Sequence, residues 1–175
     1  MKIFQAMKRL LAITIILLSI ASCTFINVSR TLNDVESYIM ERPDSALAVL
    51  ESIDRVDLNT ARTKAHHALL LAMALDKIYI DVTEDSIAKV ATEYYQKHGP
   101  RRNYARALYY LGKSYYYNEQ YAKAILEYSK AEKVAEGCDS LYLGMIKVAQ
   151  ADTYNNTYNS IEELNCSLDA LKILR

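Results

Sequence analysis

The chain is poor in residues that interrupt helices. It contains four glycines and two prolines among 175 residues, whereas an average composition would supply about 20 of them. This scarcity excludes collagen-like sequence and turn-rich β-sandwiches. Tryptophan is absent and phenylalanine occurs twice, while tyrosine occurs 15 times. Because 51% of the residues are hydrophobic, the composition also excludes an intrinsically disordered chain, and the length fits one domain or a short array of repeats.

Neither sign of charge predominates, since 21 Lys and Arg balance 21 Asp and Glu. Without a basic excess the chain has no general attraction for nucleic acid, and we expect no nucleic-acid partner for this region. The sequence also lacks a glycine-rich phosphate loop and the GxSxG and HExxH motifs. It therefore favours a protein that is not an enzyme, and it predicts no cofactor and no metal site.

The first 22 residues have the order of a bacterial export signal. Lys2, Lys8 and Arg9 precede an apolar stretch over residues 10–20, and small residues follow. This stretch is shorter than the roughly 20 residues that span a bilayer, so we favour cleavage over an uncleaved anchor or a buried N-terminal helix. The sequence Ile20-Ala21-Ser22-Cys23 resembles the lipobox of bacterial lipoproteins, which implies a signal peptide over residues 1–22 and acylation of Cys23.

The lipobox resemblance implies a protein of the cell envelope. Acyl chains such as palmitate on Cys23 would hold it at the inner or outer membrane, facing the periplasm or the exterior. Cleavage before Cys23 would leave 18 basic residues against 21 acidic ones. Residues 23–30 are expected to form a tether and residues 31–175 the folded domain. We expect Cys138 and Cys166 to be unpaired thiols, with a single disulfide as the alternative.

From residue 31 onward, apolar residues recur at three- and four-residue steps, which is typical of amphipathic helices. The breaks in this pattern predict eight helices over residues 30–41, 44–53, 60–80, 84–98, 103–117, 121–136, 140–154 and 160–174. Asp139 suits a helix N-cap, and Ser160 with Glu163 suggests a capping box. Gly99 and Gly137 suit left-handed C-terminal positions. Helices joined by short turns predict an all-α fold with antiparallel neighbours.

Residues 107–131 closely resemble the tetratricopeptide repeat, a pair of packed helices. In that family, small residues let the two helices approach and large residues fill the space between them. The packing residues that the resemblance implies are Leu108, Leu111, Gly112, Tyr115, Ala124, Tyr128 and Ala131. The proline that usually ends the repeat is missing, and Glu136 stands in its place. Partial copies of the pattern occur both before and after this repeat.

These copies imply an α-α superhelical solenoid of tetratricopeptide-like helix hairpins over residues 31–175. Together with residues 42–53, they resemble the N-terminal repeat region of tetratricopeptide lipoproteins from Bacteroidota. Longer proteins of that type continue with more repeats, a transmembrane segment and a cytoplasmic region. An apolar helical face runs through residues 171–175 without a polar cap, so we leave open whether the chain is a fragment of a longer protein.

The tyrosines cluster, since 13 of the 15 lie between Tyr94 and Tyr158. One face of the predicted helix 103–117 carries Arg106, Tyr109, Lys113 and Tyr116, and in this repeat family that face lines a ligand groove. Neighbouring first helices would add His67, Lys77, Asp152 and Asn155. Two interpretations stay open: the tyrosines are spacers within the solenoid, or they contact a peptide or glycan.

The resemblance implies binding rather than catalysis. The first hypothesis is a membrane-anchored tetratricopeptide lipoprotein that acts as a protein- or peptide-binding scaffold, or as the extracytoplasmic sensing part of a regulator. The alternative is a glycan-binding outer-membrane lipoprotein, although carbohydrate receptors of that kind are longer and rely on tryptophan. Lys113 stands where the chaperone-tail clamp of some repeats has Asn, so that specific function is not supported.

Overall fold

The computed structural model describes residues 28–175. The expected signal peptide, Cys23 and most of the expected tether lie outside these residues. Within the described part every regular element is an α-helix and there is no strand, which confirms the predicted all-α class. The eight helices are α1 Val28–Tyr38, α2 Pro43–Glu51, α3 Ala61–Lys77, α4 Ser86–Tyr95, α5 Arg101–Tyr117, α6 Tyr121–Ala135, α7 Ser140–Asn156 and α8 Ser160–Ile173.

The predicted helices are all present, and their ends differ where local hydrogen bonds intervene. α1 already includes residues 28–30 of the expected tether, because Val28 packs into the core. α4 is shorter than predicted, and the carboxylate of Asp85 before it pairs with Lys89 at 2.5 Å and makes no capping hydrogen bond. The expected capping box at Ser160 is wrong, because Asn159 is the N-cap and accepts the Glu162 N–H at 3.4 Å.

Each helix packs against the next one along the chain. Because residues 118–120 alone join α5 to α6, these two helices run antiparallel as a hairpin. We group the helices into the hairpins α1–α2, α3–α4, α5–α6 and α7–α8. The first helices α1, α3, α5 and α7 also contact one another in that order. The second helices α2, α4 and α6 each pack against the first helix of the following hairpin, which is α3, α5 and α7 respectively.

The last three hairpins share one geometry. Their first helices, α3, α5 and α7, are each 17 residues long. These helices begin at Ala61, Arg101 and Ser140, so their starts are almost evenly spaced along the chain. Two residues beyond each of them the backbone adopts a positive φ, between 57° and 61°. A common length, a common ending and a nearly constant spacing define a structural repeat whose period is within the range of helical-hairpin repeats.

Small residues allow close approach within the α5–α6 hairpin. A Cβ added to Gly112 would lie 2.4 Å from Cε1 of Tyr128, so no larger residue fits without movement. Ala124 and Ala131 are fully buried. Of the residues expected to pack this repeat, Leu108, Leu111, Gly112, Ala124, Tyr128 and Ala131 are buried and Tyr115 is half-buried against the core.

Two further features concern expectations from the sequence. Cys138 is exposed and Cys166 is buried, and both are free thiols. Among the helices of residues 28–175, none combines the length and the hydrophobicity that a membrane span requires.

Candidate functional site

The four first helices together line a cavity of about 420 Å³. α1 contributes Asn33 and Glu36, α5 contributes Arg102 and Arg106, and α3 and α7 add further side chains. We call the surface formed by α1, α3, α5 and α7 around this cavity the first-helix face. Its apolar residues are Ile39, Met40, Met73 and Leu141, and the ring of Tyr142 completes the lining. The cavity therefore combines apolar surface with charges of both signs.

Arg106 is the centre of a charge network on this face. Its Nε and Nη2 lie 2.9 and 2.8 Å from Oδ2 of Asp139, at the start of α7. Its Nη1 lies 3.6 Å from Oε1 of Glu36 on α1, and the other oxygen of Glu36 contacts Nε2 of His66 on α3 at 3.0 Å. The guanidinium also lies 4.7 Å from the ring centre of Tyr142. This network links all four first helices.

The network shifts the acidity of Glu36. The hydrogen bond from His66 lowers the pKa of Glu36 below its ordinary value of 4.5, and partial burial opposes the effect. The charges of His66, Arg106 and Arg102 lower it further. The carboxylate of Glu36 is therefore held in its charged form by groups from two other helices.

Lys113 of α5 forms a second charged contact between first helices, with Asp76 of α3, and neither residue lines the cavity of the first-helix face. Burial alone would lower the pKa of Lys113, but Tyr109 and Asp76 outweigh burial and the pKa is raised. The ammonium lies 5.4 Å from the ring centre of Tyr117. On α7, partial burial raises the pKa of Asp152, and the charge of Lys113 opposes that shift. Lys113 therefore links α3 to α5 and interacts electrostatically with α7.

Tyr109 is not part of the accessible surface, and the expectation that it lines a groove is wrong. It is 5% exposed, and its ring packs edge-on against Tyr110 at 5.0 Å and Tyr142 at 5.6 Å. Tyr110 and Tyr142 in turn join their hydroxyls at 2.8 Å. Burial raises the pKa of Tyr142 to about 12. These rings fill the junction between α5 and α7 instead of contacting a ligand.

The remaining predicted site residues lie at the C-terminal ends of first helices, except for His67, which lies in a separate cavity. The hydroxyl of Tyr116 accepts a hydrogen bond from Nδ2 of Asn156 at 2.8 Å, next to the exposed Asn155. Lys77 is half-buried at the end of α3. His67 does not lie on the first-helix face: its Nε2 contacts the Leu50 carbonyl at 2.9 Å, and it lines a separate cavity between α2, α3 and α4. The expectation for His67 is therefore wrong, and its neighbour His66 faces the charge network instead.

A second cavity, of about 460 Å³, lies next to the first and shares Asn33, Glu36 and Arg102 with it. Arg62 and Arg102 line it, and neither has a carboxylate within 4.0 Å among residues 28–175. Oδ1 of Asn103 is buried there without a hydrogen-bond partner from the described residues. No local pattern in the sequence relates the other residues of these two cavities and of the charge network, and they could not be predicted from it: Glu36, Arg62, His66, Arg102 and Asn103.

The ionisable residues of the described part do not suggest metal binding. No three His, Cys, Asp or Glu side chains within residues 28–175 are close enough to hold an ion together. The carboxylates of Glu36, Asp76 and Asp139 are each engaged by a cationic or histidine side chain. These pairs connect neighbouring helices, and their groups are therefore occupied by contacts within the protein.

The fold and this face define a protein whose described residues are all-helical and form consecutive helix hairpins. One cavity is lined by the first helices of all four hairpins. No protein-family model matches the chain, and no curated protein and no solved structure shows significant similarity to it.

Proposed function

We propose that the protein is a tetratricopeptide lipoprotein whose first-helix face binds a segment of another protein or a peptide. In this proposal the four hairpins stack as an α-α superhelical solenoid. The equal lengths of α3, α5 and α7, their regular spacing and the contacts between successive hairpins support that arrangement. The protein would serve as a scaffold, or as the extracytoplasmic sensing part of a regulator.

The observation that carries the proposal is the cavity lined by all four first helices. Met40 and Leu141 are exposed apolar residues at its edge, and Arg102 adds an exposed cation. An extended peptide offers apolar side chains at intervals together with carbonyl and carboxylate groups. It could therefore bury Met40 and Leu141 while accepting hydrogen bonds from Arg102.

The proposal includes a membrane anchor at Cys23, which lies outside the described residues. Several acyl chains would hold the folded part at a membrane without a spanning helix. The test is growth with radiolabelled palmitate: the native chain should incorporate label, and Cys23→Ser should not. Equal labelling of the two chains would refute lipidation at this position.

Peptide binding can be tested with a phage-displayed library of random peptides. Enriched peptides would be titrated calorimetrically against the native protein and against Arg102→Ala and Leu141→Ala. Each substitution removes a side chain from the edge of the cavity, and we expect each to weaken binding by about tenfold. Lys133→Ala, an exposed change on α6, is the matched control and should leave the affinity unchanged.

Two outcomes would contradict peptide binding at this face. One is that the library yields no enriched peptide, and the other is that Arg102→Ala and Leu141→Ala bind as tightly as the Lys133→Ala control. The glycan alternative remains a second proposal, tested by titration with oligosaccharides. We prefer the peptide because Tyr109, which was expected to offer a stacking surface in the groove, is buried.

A further inference from the structure

The second cavity, of about 460 Å³, lies at the N-terminal end of α5. Gly99 and Pro100, which precede this helix, line the cavity together with Arg102 and Asn103 of its first turn. Its other walls come from α1, α3 and α4. Arg102 is exposed, as is Arg62 of α3, so a ligand can reach the cavity from the solvent.

The start of α5 carries charges that a helix disfavours at this end. Its first turn contains Arg101 and Arg102 and no acidic residue. A helix N-terminus has a partial positive charge, so these arginines are repelled by it. Pro100 is the N-cap, and no side chain accepts a hydrogen bond from the first backbone N–H groups. Residues 94–118 include five Lys and Arg and no acidic residue, so this segment supplies no counter-charge of its own.

The second cavity keeps an excess of positive charge after the contacts within the protein are counted. Arg62 and Arg102 line it, and among residues 28–175 neither guanidinium has a carboxylate within 4.0 Å. Glu36 is the one acidic side chain among the described residues that line it. His66 and Arg106 already engage that carboxylate. The charges therefore favour an anionic ligand.

Asn103 indicates that the ligand also carries a hydrogen-bond donor. This residue is 7% exposed and lines the cavity, and its Oδ1 is buried without a hydrogen-bond partner from the described part of the chain. A buried acceptor without a donor is unfavourable, and a ligand that donates a proton to it removes that cost. Ionised carboxylates and sulfate bring no such proton near neutral pH, whereas a phosphate group titrates near pH 6 and keeps one.

We propose that the second cavity binds the phosphate group of a small phosphate monoester. The phosphate oxygens accept hydrogen bonds from Arg62, Arg102 and the first backbone N–H groups of α5. The protonated oxygen donates to Oδ1 of Asn103. A phosphate group fills only part of the cavity, and the remaining space, which Tyr94 and Tyr95 also line, receives the organic part of the monoester.

The test is a calorimetric titration of the full chain in nonionic detergent at pH 6, where a large fraction of a phosphate monoester is singly charged. The probes are glycerol 3-phosphate, inorganic phosphate and inorganic sulfate. Glycerol 3-phosphate should bind most tightly, because inorganic phosphate leaves part of the cavity empty. Sulfate should bind at least about tenfold more weakly than inorganic phosphate, because it brings no proton to Asn103.

Substitutions assign the binding to the second cavity. Arg62→Ala and Arg102→Ala should each raise the dissociation constant of glycerol 3-phosphate at least about tenfold, because each removes a charge-assisted hydrogen bond. Arg55→Ala is the matched control, since Arg55 is exposed and lines the separate cavity between α2, α3 and α4. It should leave the constant unchanged. Asn103→Leu should abolish the preference for phosphate over sulfate, with unchanged helical content by circular dichroism.

Four outcomes would overturn the inference in whole or in part. The site is refuted if neither phosphate probe binds at millimolar concentration, or if binding survives Arg62→Ala. Sulfate that binds as tightly as inorganic phosphate overturns the contact of a protonated oxygen with Asn103. Equal affinities for inorganic phosphate and glycerol 3-phosphate overturn the assignment to a monoester.

The phosphate site and the peptide site of the first-helix face can fail independently. Both include Arg102, but Arg62 lines only the second cavity and Leu141 only the first. Arg62→Ala should therefore weaken binding of glycerol 3-phosphate and leave peptide affinity unchanged. Leu141→Ala should have the opposite effect.

Discussion

Gly112 cannot gain a side chain without displacing Tyr128 within the α5–α6 hairpin. A Cβ there would lie 2.4 and 2.6 Å from Cε1 and Cδ1 of Tyr128, whose ring is 1% exposed and rests against Tyr109. Because the ring is buried, moving it would displace the core residues around it. Gly144 on α7 offers a comparison, because its added Cβ would meet the side chain of Leu174 at 2.4 Å. Leu174 is half-exposed beyond the end of α8 and can rotate away.

Gly112→Ala should therefore destabilise the protein although alanine favours helix formation. We expect the free energy of unfolding to fall by about 1–3 kcal/mol, the usual effect of overpacking a core. Gly144→Ala should change it by less than about 1 kcal/mol, because the gain in helix propensity offsets the displacement of Leu174. Urea denaturation followed by circular dichroism measures both values. Equal effects of the two substitutions would show that Tyr128 is free to move.

Two residues after the end of each of the three long first helices, the backbone adopts a left-handed conformation at a residue that is not glycine. Tyr79, Glu119 and Tyr158 have φ of 61°, 57° and 58°. The next residue in each case donates its N–H back into the last turn, as from Asn159 to the Tyr154 carbonyl at 2.9 Å. This hydrogen bond satisfies a carbonyl that would otherwise lack a partner, and the left-handed residue makes it possible. The repeated ending turns the chain back at the same point in each hairpin.

Tyr158→Gly should stabilise the protein by about 1 kcal/mol, since glycine adopts a positive φ without the clash of a Cβ. The tyrosine is 94% exposed, so its removal sacrifices little packing. Tyr158→Ala is the control: it removes the ring and keeps the Cβ, and it should give no gain. Thermal unfolding monitored by circular dichroism distinguishes the two. A Tm that is no higher for the glycine variant than for the alanine variant would contradict the argument.

For the molecule as a whole, the first-helix face combines a structural role with the proposed binding role. Glu36, His66, Arg106 and Asp139 join α1, α3, α5 and α7 through charged contacts. These contacts connect successive hairpins, and two of the four side chains, Glu36 and Arg106, also border the cavity. Changes in protonation of Glu36 should therefore affect the stability of the fold.

Comparison with Glu36→Gln should reveal the contribution of the Glu36 charge as a pH dependence of the free energy of unfolding. Because the pKa of Glu36 is lowered in the folded protein, its charged form stabilises the fold above the ordinary value of 4.5, and that stabilisation is lost as the pH falls through the folded pKa. The native protein should exceed Glu36→Gln in free energy of unfolding at pH 7, and the difference should shrink towards pH 3. Urea denaturation across this range measures it.

The control for this experiment is Glu41→Gln, which changes an exposed residue just after α1. Its difference from the native protein should stay nearly constant over the same range. A gap between the native protein and Glu36→Gln that is independent of pH would mean that the Glu36 carboxylate is not held by His66 and Arg106 in solution.

The number of helices and their approximate positions could be predicted from the sequence, because they follow from local rules. Apolar periodicity and Gly99 and Gly137, whose φ values are 109° and 74°, act within one or two turns of the chain. Of the predicted groove residues, Arg106 lines the cavity of the first-helix face. Its other members come from helices far apart in the sequence, and no local pattern connects them.

The amino-acid sequence by itself determined the helical class, the regular spacing of the hairpins and the small residues at Gly112, Ala124 and Ala131, since each reflects contacts along one helix or within one hairpin. The tertiary structure alone decided that Tyr109 is buried, that His66 rather than His67 faces the charge network, and that Glu36 reaches Arg106. The physical reason is that exposure and ion pairing depend on which neighbouring helix covers a side chain, and that follows from the packing of separate hairpins.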